Sequence, residues 1–191
     1  MSGESPLRLF LACPLPSSMI DACLTYIGQL KQHGWRGSYA TQATLHLTLY
    51  FLGYVAVRDL EAVIASTQSR VIPTDVTVHW NTVGWFGPEQ HPRVLWVGLR
   101  HVPGPLMELQ QNLKAAMMHH GWGIDTARAS WVPHVTLLRV HQAPRPGRLP
   151  SWTSVTTSLT QVELVHSTLT STGPCYQTLA QFPLTTARDS D

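Results

Sequence analysis

Two stretches of this chain carry one pattern. Leu45-His46-Leu47-Thr48-Leu49-Tyr50 and Pro133-His134-Val135-Thr136-Leu137-Leu138 both read apolar, His, apolar, Thr, apolar, apolar, if Tyr50 and Pro133 count as apolar. Side chains alternate across a β-strand with a period of two. His46 and Thr48 therefore share one face, with Leu45, Leu47 and Leu49 on the other. His134 and Thr136 share a face in the same way, opposite Val135 and Leu137. Each stretch anchors through its apolar face and presents an imidazole beside a hydroxyl. The surroundings repeat as well: strand, helix, strand. Leu9 precedes His46 by 37 positions, and Leu95 precedes His134 by 39. This order predicts an internal duplication, with two similar lobes each donating one central strand.

The remaining pattern fills in this frame. Arg8 to Ala12 reads as a short buried strand ended by Pro14 and Pro16. Ser17 or Ser18 can cap the helix that follows, with Ile20, Cys23, Leu24, Ile27 and Leu30 on its apolar face. Gly34 closes it. Thr44 to Leu52 reads as a strand ended by Gly53. Leu60, Val63, Ile64 and Thr67 mark a second helix, and Val76 to Val83 a further strand. Gly84 to Pro92 reads as a loop and Val94 to Leu99 as a strand. Gly104 and Pro105 open a third helix, with Leu106, Leu109, Leu113, Ala116 and Met117 inward and Gly121 closing it. Trp131 to Val140, Ser154 to Leu169 and Cys175 to Leu184 read as strands, with a loop from Pro144 to Pro150. One domain is expected over residues 1–184, with a frayed tail over 185–191.

The 191 residues hold 43% hydrophobic and 13% charged side chains, which excludes disorder and a coiled coil. No apolar run approaches the ~18 residues of a membrane helix. The net charge of +2 argues against wrapping a long nucleic acid, but leaves room for a short end. Cys13, Cys23 and Cys175 form neither a disulfide framework nor a metal pair. They are expected to be buried or neutral thiols in a reducing compartment. Phe10-Leu11-Ala12-Cys13 looks faintly like a lipoprotein cleavage site. The apolar stretch before it contains Arg8 and is too short for a signal core of ~7–15 residues. The expected location is cytoplasmic.

Two histidines and two hydroxyls facing across a cleft suit phosphodiester cleavage. A neutral His activates a nucleophile, and a protonated His gives a proton to the leaving oxygen. Imidazole, with an ordinary pKa of ~6.5, holds either state near neutrality. The threonine hydroxyls can donate to phosphate oxygens. With 10 His and 20 Thr, about one His-x-Thr is expected by chance, and three occur. The third, His166-Ser167-Thr168, has a polar residue between the pair and reads as a decoy.

The extended motifs, Thr44 to Gly53 and Pro133 to Arg139, closely resemble the paired motifs of the 2H phosphoesterase superfamily. They most resemble its bacterial RNA 2',3'-cyclic phosphodiesterase branch, also called 2'-5' RNA ligase-like. Arg8 to Ala12 with Leu15-Pro16, Pro92 to Gly98, and Leu164 to Ser167 with Gly173 and Tyr176 resemble the branch's opening strand, middle strand and closing hairpin. The resemblance implies an α+β, bilobal fold of mainly antiparallel sheet, helices outside and both motifs in a central cleft. It implies a reaction without metal or cofactor, in which a terminal 2',3'-cyclic phosphate on RNA opens to a 2'-phosphate. By analogy His46 is the proton donor and His134 the base that activates water, with Thr48 and Thr136 on the phosphate. A 5'-hydroxyl replacing water would run the reaction backwards, to a 2'-5' linkage. Arg139 resembles a family arginine that contacts phosphate or nucleotide. It lies at an odd offset from His134 and reaches the same face only if the strand ends or bulges near Leu138. Phe51, at the matching offset from His46, is a candidate for stacking on a base. The family often has Asn before the first motif, where this chain has Thr44. That change is expected to matter little.

Two alternatives remain open at this level. One is a relative acting on 2'-5' oligonucleotides or small nucleotide-derived cyclic phosphates. The other is an RNA-end binding module with vestigial catalysis. A monomer with no obligate protein partner is expected. His119-His120 reads as a helix end favoured by the dipole, not a metal site. The remaining histidines lack ligand spacing such as HExxH. Trp85-Phe86 is a candidate for touching substrate. No P-loop pattern occurs.

Overall fold

The computed structural model describes residues 5–72, 74–123, 130–144, 148–171 and 173–184, so the tail expected at 185–191 lies outside the described residues. Chain order gives β1 (Leu7–Pro14), α1 (Ser17–Gln32), β2 (Arg36–Tyr39), β3 (His46–Val55), α2 (Leu60–Gln68), β4 (Val76–Trp80), β5 (Thr82–Phe86), β6 (Val94–Gly98), α3 (Gly104–His119), β7 (His134–Gln142), β8 (Val155–Leu159), β9 (Gln161–Thr170) and β10 (Gly173–Pro183). The strands form two four-stranded sheets, ordered β10-β9-β1-β3 and β2-β7-β6-β5, and a separate β4-β8 pair. Every pairing is antiparallel. The fold is α+β, as expected.

The two long helices end alike. After α1, Gly34 N–H donates to the Lys31 carbonyl and Trp35 N–H to Leu30. After α3, Gly121 N–H donates to Met118 and Trp122 N–H to Met117. Both are Schellman closures, with Gly34 at φ 84° and Gly121 at φ 74°, a region open to glycine at little cost. In both, a tryptophan follows the glycine.

Each four-stranded sheet draws strands from both sequence halves, however. Strand β2, from the first half, pairs with β7 of the second. Helix α1 packs on β7 and β8, while α3 packs on β3. Each helix thus covers the other repeat's strand, and one continuous apolar core results. Strand β7 is flanked on both sides, whereas β3 closes its sheet among the described residues. The expectation of two central strands holds for β7 alone.

Several local expectations need correction. The residue before α1 is Pro16, and neither Ser17 nor Ser18 supplies a side-chain cap. Val76 to Val83 is two strands, because the chain leaves the β4-β8 pair at Asn81 to join another sheet. Ser154 to Leu169 breaks at Thr160 for the same reason. Gly84, Trp85 and Phe86 belong to β5 and not to a loop. Strand β7 begins at His134 itself, not at Trp131. Strand β3 continues through Gly53, which takes φ 78° at a bulge opposite Leu9 and Phe10. The four-residue β2 carries too little pattern to be read from sequence.

Candidate active site

The two motifs keep their faces. Strands β3 and β7 start with the same burial order: half-buried His, buried, half-buried Thr, two buried, then exposed. Two buried residues in a row mark a bulge. In β3 the register jumps from Tyr50 to Thr48 opposite Leu11 and Ala12. In β7 it jumps from Leu138 to Thr136 opposite Leu95 and Trp96. The extra residues are Leu49 and Leu137, each three positions after its histidine. The bulge reverses alternation. It returns Phe51 and Arg139 to the face of the histidines, which meets the condition that the odd offset of Arg139 imposed. Phe51 is 45% exposed, its ring 5.7 Å from Phe10.

Each imidazole is held by backbone. His46 Nδ1 lies 2.8 Å from the Thr44 carbonyl, and His134 Nδ1 lies 2.8 Å from the Val132 carbonyl. A carbonyl only accepts, so each Nδ1 carries the hydrogen and each Nε2 is left for chemistry. His46 Nε2 accepts from the Thr48 hydroxyl at 3.0 Å. When His46 is protonated, the same hydroxyl accepts instead, and its hydrogen is free to donate to an anion. Residue 44 supplies this anchor through its backbone carbonyl, not its side chain.

Aromatic rings wall both histidines. Phe10 and Tyr176 sit 5.0 and 5.3 Å from the His46 ring. Phe86 and Trp96 sit 4.9 and 6.2 Å from the His134 ring. Burial pushes the His46 pKa down. Its bond to Thr44 opposes that, His134 across the cleft adds to it, and Glu163 opposes it. Burial also lowers His134, opposed by its bond to Val132 and reinforced by Arg139. Both rings are thus biased toward the neutral form until an anion arrives.

A cavity of about 220 Å³ opens beside His46, bounded by Ala12, Gln42, Glu163, Tyr176 and Thr178. A larger hollow of about 480 Å³ lies around Trp35, Trp85 and His91 and includes neither motif histidine. Of the two, the smaller one is lined by a motif histidine, His46. Among the described residues, no three His, Cys, Asp or Glu side chains converge as a metal site would require.

The model of the 2'-5' RNA ligase superfamily matches residues 19–168. The chain belongs to that superfamily. It is 27% identical over 180 residues to the RNA 2',3'-cyclic phosphodiesterase of Thermotoga maritima, covering 91% of this chain and 93% of that one. A Thermus thermophilus protein of known structure superposes with a TM-score of 0.81 at 26% identity, over 93% of this chain and 97% of that chain. Escherichia coli LigT in complex with 3'-AMP superposes with a TM-score of 0.75 at 25% identity, over 96% of this chain and all of that chain.

Within this superfamily fold the candidate residues sort cleanly. His46, Thr48 and Phe51 share one face of β3, and His134, Thr136 and Arg139 share one face of β7. Strand β9 pairs His166 with Leu9, a core-facing residue of β1, so His166 lies on the opposite sheet face. Of the Trp85-Phe86 pair, Phe86 reaches His134, while Trp85 lines the larger hollow. His119 ends α3, and His120 stacks on Trp122 at 4.6 Å. Cys13 and Cys23 are buried, and burial holds the Cys23 thiol up at about 12; Cys175 is exposed. Phe10, Trp96 and Glu163 were not legible as site residues. Phe10 and Ala12 alternate onto the cleft face of β1, but only the pairing with β3 reveals which face that is. Among the described residues, no helix is long and apolar enough to cross a membrane.

Proposed function

We propose that this chain opens the 2',3'-cyclic phosphate at an RNA end to a 2'-phosphate by acid–base catalysis between His46 and His134. The single observation that carries the reading is the matched pair of imidazoles. Each is tied through Nδ1–H to the carbonyl two residues before it, which leaves both Nε2 atoms off the main chain, that of His46 beside the Thr48 hydroxyl. Membership of the superfamily and likeness to cyclic phosphodiesterases support the same substrate class.

In this reading the phosphate anion raises the proton affinity of both rings, and one of them protonates. His134 Nε2 takes a proton from water as its oxygen attacks phosphorus. The bond from phosphorus to the 3'-oxygen breaks, and His46 gives its Nε2 proton to that oxygen. The products are a 2'-phosphate and a 3'-hydroxyl. Thr48 and Thr136 donate to the non-bridging oxygens, and Arg139 supplies positive charge on the same face. Phe51 offers an exposed ring to a base.

The test is incubation of a short RNA ending in a 2',3'-cyclic phosphate with the full chain in excess EDTA. A 2'-phosphate product is expected. A 3'-phosphate would reverse the leaving oxygen, and no product with RNA but turnover of 2'-5' adenylates would move the reading to that relative.

A further inference from the structure

The two motifs are related by an approximate repeat, yet the reaction requires them to differ. The sheets show where the repeat is broken. Moving outward from the catalytic strands, β3, β1 and β9 correspond to β7, β6 and β5. The row through Thr48 continues to Ala12 and then Glu163. The row through Thr136 continues to Trp96 and then Gly84. Ala12 thus stands where Trp96 stands, and Glu163 where Gly84 stands.

These exchanges are steric as well as chemical. A Cβ on Gly84 would meet the Trp96 ring at 2.5 Å, so the indole lies over a position that must lack a side chain. On the other side Ala12 leaves that volume open, and the Glu163 side chain enters the cavity it shares with His46. The carboxylate is fixed there by neutral donors. Gln161 and Gln181 amides donate to Oε1 at 2.7 and 3.0 Å, and the Thr178 hydroxyl donates to Oε2 at 3.1 Å. Such donors orient the negative charge without cancelling it. At the third broken position Phe51 of β3 stands where Arg139 stands on β7, which places the guanidinium on the His134 strand.

We propose that Glu163 is a positioning residue for this reaction: its oriented carboxylate, set against Arg139 on the opposite motif, makes His46 the imidazole that keeps the proton and His134 the one that gives it up. The inference rests on the functional reading above for its chemistry. Its electrostatic part stands on the sheet rows alone. Among the described residues, the titratable groups set against His46 are His134 from β7, Glu163 from β9 and Tyr176 from β10, and Tyr176 in turn feels Arg139 from β7 and Arg8 from β1. Arg8 donates to Ser167 at 2.9 Å, and Tyr176 is a neutral phenol raised further by burial. Glu163 is the one carboxylate in this set. It favours the charged form of His46, while Arg139 disfavours the charged form of His134.

The decisive experiment follows imidazole protons by NMR titration, with resonances assigned through single histidine variants. In the full chain with inorganic phosphate as probe, His46 should protonate at higher pH than His134. In Glu163→Gln without phosphate, the His46 midpoint should fall and the His134 midpoint should stay. Glu163→Asp should restore part of the fall. A His46 midpoint unmoved in Glu163→Gln overturns the proposal. If that variant does not fold, the wild-type order with phosphate decides, and His134 protonating first overturns it. In kinetics on cyclic-phosphate RNA, Glu163→Gln should move the alkaline limb of kcat/KM to lower pH without raising KM. A raised KM with an unmoved limb would mean a structural role only. Wild type that yields no product at any pH, with the NMR shifts intact, would instead sink the functional reading and leave the electrostatic one standing.

Discussion

Strands β3 and β7 match in backbone and differ in surroundings. Both present His and Thr at positions one and three, both bulge at the fourth residue, and both tie Nδ1 to the carbonyl two residues back. Around β3 lie Ala12, Glu163 and Phe51; around β7 lie Trp96, Gly84 and Arg139. Acid and base need the same thing from the main chain, a ring with a fixed tautomer and an Nε2 that the backbone does not hold. They need opposite things from their neighbours. In the proposed reading, the two strands match where the roles agree and differ where they diverge.

The strongest way to break this comparison is to remove one imidazole at a time. His46→Ala and His134→Ala should each lower kcat by about 10²–10⁴-fold, the usual worth of a positioned acid or base. Both side chains are half-buried on the cleft face, so the circular dichroism spectrum should be unchanged. If one variant keeps wild-type turnover, the two strands are not partners in one reaction.

A steric exchange sharpens the comparison at smaller scale. Gly84→Ala drives a methyl into the Trp96 ring, where a Cβ would lie 2.5 Å from Cζ2. Overpacking of this kind costs about 1–3 kcal/mol. Trp96→Ala removes the obstacle, so the double variant should be less destabilised than the sum of the singles. Urea unfolding of the four proteins measures this. Strict additivity would show that the indole is not seated on Gly84, and the corresponding difference from Ala12 and Glu163 would lose its physical basis.

The site was legible in sequence where the period of two is enough. His46, Thr48, His134 and Thr136 share faces because alternation survives from the first to the third residue of each strand. Arg139 and Phe51 lie beyond the bulge, and a bulge leaves no residue signature in Leu49-Tyr50 or Leu137-Leu138. Their placement could only be made conditional. Glu163 was beyond reach for another reason. It joins His46 through two successive strand pairings, β3 to β1 and β1 to β9, across 117 residues of chain. The same non-local pairing hid the exchange of helices between repeats. Local order along each half reads strand, helix, strand whether α1 covers its own sheet or the other.

The smallest expected effect concerns stability against pH, and it tests whether burial acts on both strands alike. Burial lowers the proton affinity of His46 and of His134 in the fold. The unfolded chain has ordinary imidazoles, near pKa ~6.5. Between that value and the lower folded values, the unfolded state binds more protons, so stability falls as pH falls below about 6.5 and is fully present above it. The melting temperature should therefore drop from pH 7.5 to pH 5. The drop should shrink in His46→Gln and in His134→Gln, and most in the double variant. Inorganic phosphate should also reduce it, because an anion in the cleft favours the charged rings. Glu163→Gln should make the drop steeper through His46, while Arg139→Gln should make it shallower through His134. A double histidine variant with an undiminished drop would show that the cleft does not hold its imidazoles neutral. The two strands would then differ in their neighbours without that difference reaching the rings.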